Sequence, residues 1–245
     1  MWPPKKRAVA FLDVMGFKKL IEKAEQDEST YEKFSSLKDV IETHVQRDNN
    51  RLAPTVPPQV KPSYLFISDS IVISVPLEFD GYDGLVIVAI KSIELAHKLL
   101  EIGFLLRGGI SIGNVWHEPR NVFGTGYIEA YNLEESVKPP RIVLSNEASM
   151  HLHTAKHSNV PLKELQLWLS TKHYTYLDAL HPWYLRSTDA DENFTYESAF
   201  NKYRDHISSS LDNPMLSAKI HKKWDAMRIQ FNRAIKQHQI NIHPL

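Results

Sequence analysis

The chain has no cysteine among its 245 residues. Disulfides and thiolate metal sites are therefore excluded, and a reducing cytosol is the expected setting. An excess of either charge is missing as well. Lysine plus arginine total 29 and aspartate plus glutamate 29, so there is no electrostatic footprint for nucleic acid or an anionic membrane. No apolar run approaches the length of a membrane span. Trp2-Pro3-Pro4 followed by Lys5-Lys6-Arg7 lacks the apolar core of a signal peptide. These absences predict a soluble, cytoplasmic protein. The twelve histidines are dispersed, and no H-x-x-x-H pair lies beside a carboxylate in a metalloprotease setting. His151, His153 and His157 are expected to form a polar surface patch.

What is present centres on Ala8–Phe17, AVAFLDVMGF. An apolar run ends in Asp13, a short turn with Gly16 follows, and the pattern from Phe17 to Ala24 is helical. A buried strand is expected to deliver the Asp13 carboxylate to its tip, beside a helix N-terminus whose open N–H groups favour anions. Ser63–Val75, SYLFISDSIVISV, reads as a hairpin presenting Asp69 at its turn. Two aspartates on neighbouring strand ends beside such a turn suit two-metal phosphoryl chemistry. The same spacing equally fits a helix-capping Asp13 and a turn-forming Asp69.

In chain order, Tyr31, Phe34, Leu37, Ile41 and Val45 recur at helical spacing. The Asn- and Pro-rich segment Arg47–Pro62 is expected to be a loop. Leu85–Gly103 predicts an amphipathic helix ending at a C-cap glycine. Phe104–Val115 predicts a strand whose glycines, Gly108, Gly109 and Gly113, mark close backbone approach. A loop over Trp116–Gly126, a helix over Tyr127–Ser136, a strand over Arg141–Ser145 and a helix over Asn146–His153 follow. Short strands are expected around Leu167–Leu169, Tyr174–Leu177 and Trp183–Leu185. Two helices, Phe194–Leu211 and Met215–His238, close the chain. Ile220, Trp224, Met227, Phe231 and Ile235 form one stripe on the second, expected to be core. The order predicts an α+β fold with a ferredoxin-like split βαβ arrangement and a mainly antiparallel sheet. Helices are expected on one face, with the other left for a partner or substrate. The expected division is one domain over 1–186 with C-terminal helices, 187–245, packed on it.

Five segments in order resemble the class III nucleotidyl cyclases. FLDVMGF resembles their F-x-D-[IV]-x-G-F signature, SDS stands at their hairpin Gly-Asp, and LLRGGISIG resembles their R-x-G-I-x-x-G strand. FGTGYIEAYNLEE and RIVLSNEA follow where the family has G-x-x-V-N-x-A-x-R-L-E and its next strand and helix. The resemblance implies a cyclase catalytic domain that uses two Mg²⁺ or Mn²⁺ ions, held by Asp13, Asp69 and the Val14 carbonyl. It implies that the amides through Met15, Gly16 and Phe17 hold the triphosphate, and that two sites form across a head-to-tail homodimer.

Departures from the family pattern sharpen the expectation. Its transition-state asparagine aligns with Ile128 and its arginine with Asn132, so either turnover is lost or Arg107, Arg120 or Lys138 supplies the charge. Its two base-reading positions align with Leu65 and Asn121, and neither carries a purine code. A pocket narrowed by Tyr64, Phe66 or Trp116 and read by the Asn121 amide suits a pyrimidine. The chain thus is similar to the stand-alone pyrimidine cyclases of bacterial Pycsar antiphage systems. The implied reaction turns UTP into cyclic UMP, an alarm read by a separate effector protein. Alternatives are a cytidylate or purine cyclase, or an inactive nucleotide-binding homologue. A palm-type polymerase is disfavoured by the neutral charge.

Overall fold

A computed structural model describes residues 5–51, 57–154, 167–182, 185 and 194–245. Strand β1, Lys5–Met15, is the axis of the molecule. Ala8, Ala10, Leu12 and Val14 point to one side and Val9 and Phe11 to the other, and all are buried. Such a strand must lie inside a sheet covered on both faces. It pairs antiparallel with β3, Ser70–Pro76, and with β6, Leu105–Glu118. Strand β2, Ser63–Ile67, forms the expected hairpin with β3. The order β2-β3-β1-β6 is the antiparallel core of a split βαβ fold. Beyond it β8, Ile142–Leu144, joins β6 in parallel, then come β10, Thr175–Leu177, and β9, Trp168–Ser170. A two-stranded ribbon, β4 (Glu78–Phe79) with β5 (Tyr82–Asp83), stands apart.

Helices α1 (Phe17–Ala24) and α2 (Glu28–Arg51) follow β1, and α3, Gly84–Glu101, follows the β5 strand. Helix α3 starts where Asp83 accepts the Leu85 and Val86 N–H groups at 2.9 and 3.3 Å. It stops at Gly103, whose φ of +78° lets Gly103 and Phe104 donate back to Leu100 and Leu99. Leu85, Val88, Ala89, Ile93 and Leu99 are wholly buried against the even-numbered side of β1, together with Leu37 of α2. Helix α5, Asn146–Thr154, adds Ala148 and Leu152 to that core. Each buried leucine, isoleucine or valine among them contributes about 1.5–3 kcal/mol.

The opposite face is not left open as the sequence suggests. Helix α4, Thr125–Ser136, crosses it, with Tyr127 and Tyr131 set edge-on to Phe11 at 5.9 and 5.2 Å. The glycines of β6 let it settle. A Cβ on Gly109 would stand 2.3 Å from the Ala130 carbonyl oxygen, and one on Gly113 would stand 2.6 Å from Gly126 Cα.

The C-terminal helices α6 (Tyr196–Leu211) and α7 (Ala218–Gln237) bury the expected stripe of Trp224, Met227, Phe231 and Ile235. They share a second core with Leu100, Leu105 and Met15.

Other expectations are corrected. Helix α2 runs on to Arg51 through the start of the predicted loop, residues 52–56 of which lie outside the described ones. The predicted loop over 116–126 is a β-hairpin in which β7, Asn121–Phe123, pairs with the end of β6. Of the third short strand, 183–184 lie outside the described residues and Leu185 is in no strand. His151 Nε2 lies 2.9 Å from the capping Asp83, and His153 sets its ring edge-on to Trp168. They are side-chain partners rather than a free surface patch, and His157 lies outside the described residues.

Candidate functional site

Backbone pairing brings the two aspartates together. Asp13 stands opposite Ser70 on one side and Arg107 on the other. The Val14 N–H donates to the Asp69 carbonyl at 2.9 Å, which ties the β2–β3 turn to the end of β1. Ser68, in that two-residue turn, has a φ of +59°. Burial holds the Asp13 carboxyl above its ordinary range; the Arg107 charge works against this, and the Asp69 carboxylate within hydrogen-bonding reach adds to it. Two carboxylates that repel at a half-buried point are a hard-oxygen donor pair, and a divalent cation between them removes the repulsion. The fit is of two carboxylates with a backbone carbonyl. Among the described residues no group of three or more His, Asp or Glu side chains has metal-ligand geometry.

After Met15, Gly16 adopts a φ of +92° and caps α1 without a side-chain hydrogen bond. The first turn of α1 carries no acidic residue. Its open N–H groups thus face no competing carboxylate of their own, which is the condition for receiving an anion. Phe17 anchors the turn through an edge-on contact with Phe34, at 6.0 Å.

Arg107 is committed. Its Nη2 donates to Asp13 Oδ2 at 3.2 Å and also pairs with Glu134 of α4, while Nη1 donates to the Val137 carbonyl at 3.0 Å. Glu134 is buried, and burial holds its carboxyl high against the lowering effect of Arg107. Arg107 therefore locks α4 to β1 and is not a free charge for a reacting group. Arg120, Lys138 and Asn132 are exposed, and Ile128 is 55% exposed on the outer surface of α4.

The expected base pocket does not assemble within one chain. Leu65 packs on the Phe11 and Val72 side of the sheet, the side of Asp13. Tyr64 belongs to the opposite core, its ring stacked on Phe66 at 6.5 Å. In the β6–β7 hairpin Val122 joins the Leu65 cluster, so alternation turns Asn121 and Phe123 the other way. Asn121 is exposed, and Phe123 stacks on Trp116 at 5.2 Å. The polar groups that do share Leu65's face were missed by sequence reasoning. Arg7 donates to Ser74 Oγ at 2.9 Å and Ser63 Oγ at 3.1 Å, and Ser74 Oγ lies 2.8 Å from His117 Nδ1. Burial lowers Arg7 to about 10; burial, with the Arg7 charge behind it, lowers His117 to about 4. Only the alternation of four strands relates these residues.

No family model matches the chain, and no curated protein does. Solved structures similar to it are those of adenylyl and guanylyl cyclase domains. One is the adenylyl cyclase CyaB from P. aeruginosa, 13% identical over 79% of this chain and 98% of that one, with a TM-score of 0.49. Another is an adenylate/guanylate cyclase/hydrolase from Silicibacter pomeroyi, 16% identical over 71% and 98%, with a TM-score of 0.40. A class III adenylyl cyclase-like ATP-binding protein from Pseudomonas aeruginosa is 11% identical, over 97% of this chain and 45% of that one, at 0.40.

Proposed function

We propose that the chain is a nucleotidyl cyclase that converts a nucleoside triphosphate, UTP in preference, into its 3′,5′-cyclic monophosphate and diphosphate. The observation that carries this reading is the pairing of Asp13 and Asp69 beside the uncapped start of α1. Asp13, Asp69 and the Val14 carbonyl are the ligands for Mn²⁺ or Mg²⁺. When bound, such ions lower the pKa of the ribose 3′-hydroxyl and neutralise the departing phosphates. The α1 amides hold the triphosphate so that the 3′-oxygen lies in line with the α-phosphorus. The 3′-O–P bond forms, the bond to the β-phosphate oxygen breaks, and the hydroxyl proton leaves to water. Arg107 positions Asp13 through their 3.2 Å contact.

Base choice rests on Leu65, which offers neither the ammonium nor the carboxylate with which a purine edge is read at that position. Leu65 with Phe11 and Val72 makes an apolar wall, which suits the smaller ring. A head-to-tail homodimer supplies the groups one chain lacks, and the cyclic product serves a separate effector in antiphage signalling. The test is to incubate the purified protein with each of four triphosphates and Mn²⁺ and identify the products by mass spectrometry. Cyclic UMP is expected in excess, and cyclic AMP or cyclic GMP ahead of it would refute the base assignment.

A second reading, a nucleotide-binding protein without turnover, is favoured by one observation. Arg107 is already neutralised by two carboxylates, and positions 128 and 132 carry no cation. Tight triphosphate binding with no diphosphate release would establish it.

A further inference from the structure

A nucleoside triphosphate brings about four negative charges to a site that already holds the Asp13, Asp69 and Glu134 carboxylates. The arginine among them is engaged on three acceptors. Even with the two divalent ions proposed for the site its sum stays negative, and the C-terminal helix brings a further cation. Trp224, Met227 and Phe231 of α7 pack in one core with Met15 and Leu105, the paired residues two positions beyond Asp13 and two before Arg107. Gln230 Nε2 donates to the Pro140 carbonyl at 3.0 Å, three residues past the Val137 carbonyl that receives Arg107. These contacts fix both the position and the rotation of α7 beside the end of β1. Half-buried Lys223 lies on the same stripe of α7 as Met227 and Gln230, with exposed Lys219 one turn earlier, and is within electrostatic reach of Asp13 and Glu134. Lys223 makes no hydrogen bond or ion pair with another described residue. Burial pushes its ammonium below the ordinary value, as do the charges of Arg107 and Lys219, while Asp13 and Glu134 pull the other way.

We infer that Lys223, assisted by Lys219, is the cation that receives the substrate's polyphosphate, supplied in cis by the C-terminal helix. The assignment rests on reading Asp13 and Asp69 as the metal pair of a triphosphate site. A lysine suits the task because its ammonium is a point charge with three donors on a flexible stem, able to follow a phosphate chain. Half burial strengthens its pull on an anion relative to that of an exposed lysine.

The test is calorimetric titration of the 245-residue chain with inorganic tripolyphosphate and Mn²⁺, which needs no turnover. Lys223→Ala is expected to raise Kd by about tenfold and Lys219→Ala by about threefold, with Lys223→Arg close to the unmodified protein. Exposed Lys222 serves as the control, and Lys222→Ala is expected to bind normally. Lys223→Met keeps the stem's packing should the alanine variant fail to fold. Normal tripolyphosphate binding by Lys223→Met would overturn the assignment, and so would an equal loss in Lys222→Ala. If no triphosphate is cyclised while tripolyphosphate binding still depends on Lys223, the cyclase reading falls and the lysine assignment stands.

Discussion

At the scale of single residues, the chemistry turns on how Asp13 is held. Its carboxylate faces Asp69 on one side and Arg107 on the other, so a change at each neighbour has a different expected effect. Asp69→Asn removes a proposed metal ligand while leaving the turn's backbone bond to Val14 intact. We expect cyclisation to fall about a thousandfold with an unchanged melting temperature, a loss of roughly 4 kcal/mol of transition-state stabilisation. Near-normal turnover in that variant would end the two-metal reading. Residues of another kind set the acid stability. His97 is wholly buried between the Tyr203 hydroxyl and the His181 carbonyl, each 3.1 Å away, and burial lowers it to about 4. The unfolded chain binds a proton there near pH 6.5, whereas the folded one does not until about pH 4. Stability is therefore full above pH 6.5 and is lost as pH falls towards 4, by about 2 kcal/mol at pH 5. Burial likewise lowers His181 to about 4, which steepens the loss. Urea midpoints that stay level from pH 7 to pH 5 would contradict this.

At the scale of elements, the site depends on how closely α4 lies on β6. Gly109→Ala puts a methyl group 2.3 Å from the Ala130 carbonyl, a backbone atom that yields only if the helix moves. The expected cost is about 1–3 kcal/mol. Because Glu134 on α4 holds Arg107, and Arg107 holds Asp13, kcat should fall further than stability alone explains. A variant with a lowered melting temperature and an unaltered kcat would show that α4 does not position the carboxylate. Much of this was legible in the sequence. The strand ending at Asp13, the hairpin at Asp69, the helix ending at Gly103 and the close approach at the β6 glycines all carry local signals. What was not legible is set by distant partners. The end of α2 includes Asp48, Asn49 and Asn50, poor helix formers that read as loop. The strand pair at 116–123 is interrupted by Pro119, which reads as a break but forms the turn. Arg107 looked like a spare cation because its acceptors, Glu134 and the Val137 carbonyl, lie about thirty residues away in sequence. Nothing local marks Lys223, whose setting depends on α7 docking against Met15 and Leu105.

At the scale of the whole molecule, one chain brings Asp13 and Asp69 together but leaves the rest of the expected site dispersed. Ile128 and Asn132 supply no transition-state group, and Asn121 and Tyr64 face away from Leu65. Helix α4 exposes Ile128 and part of Tyr131, whose ring also meets Phe11, and Phe123 is exposed on β7. Exposed apolar side chains on a chain whose expected site is incomplete are what a second copy would cover. In a two-fold, head-to-tail dimer each site takes its carboxylates from one chain and its base wall from the other. Asp69→Asn spoils the first contribution and Leu65→Arg the second, so each variant alone should be nearly inactive. When the two are mixed, a heterodimer has one site with both lesions and one with neither. Random pairing makes about half of all dimers mixed, each with one working site of two, so about a quarter of the unmodified activity should return. A mixture that stays inactive although mass spectrometry shows heterodimers would mean that each site is built within one chain. Leu65 and Asp69 would then have to act on the same nucleotide from one β2–β3 hairpin.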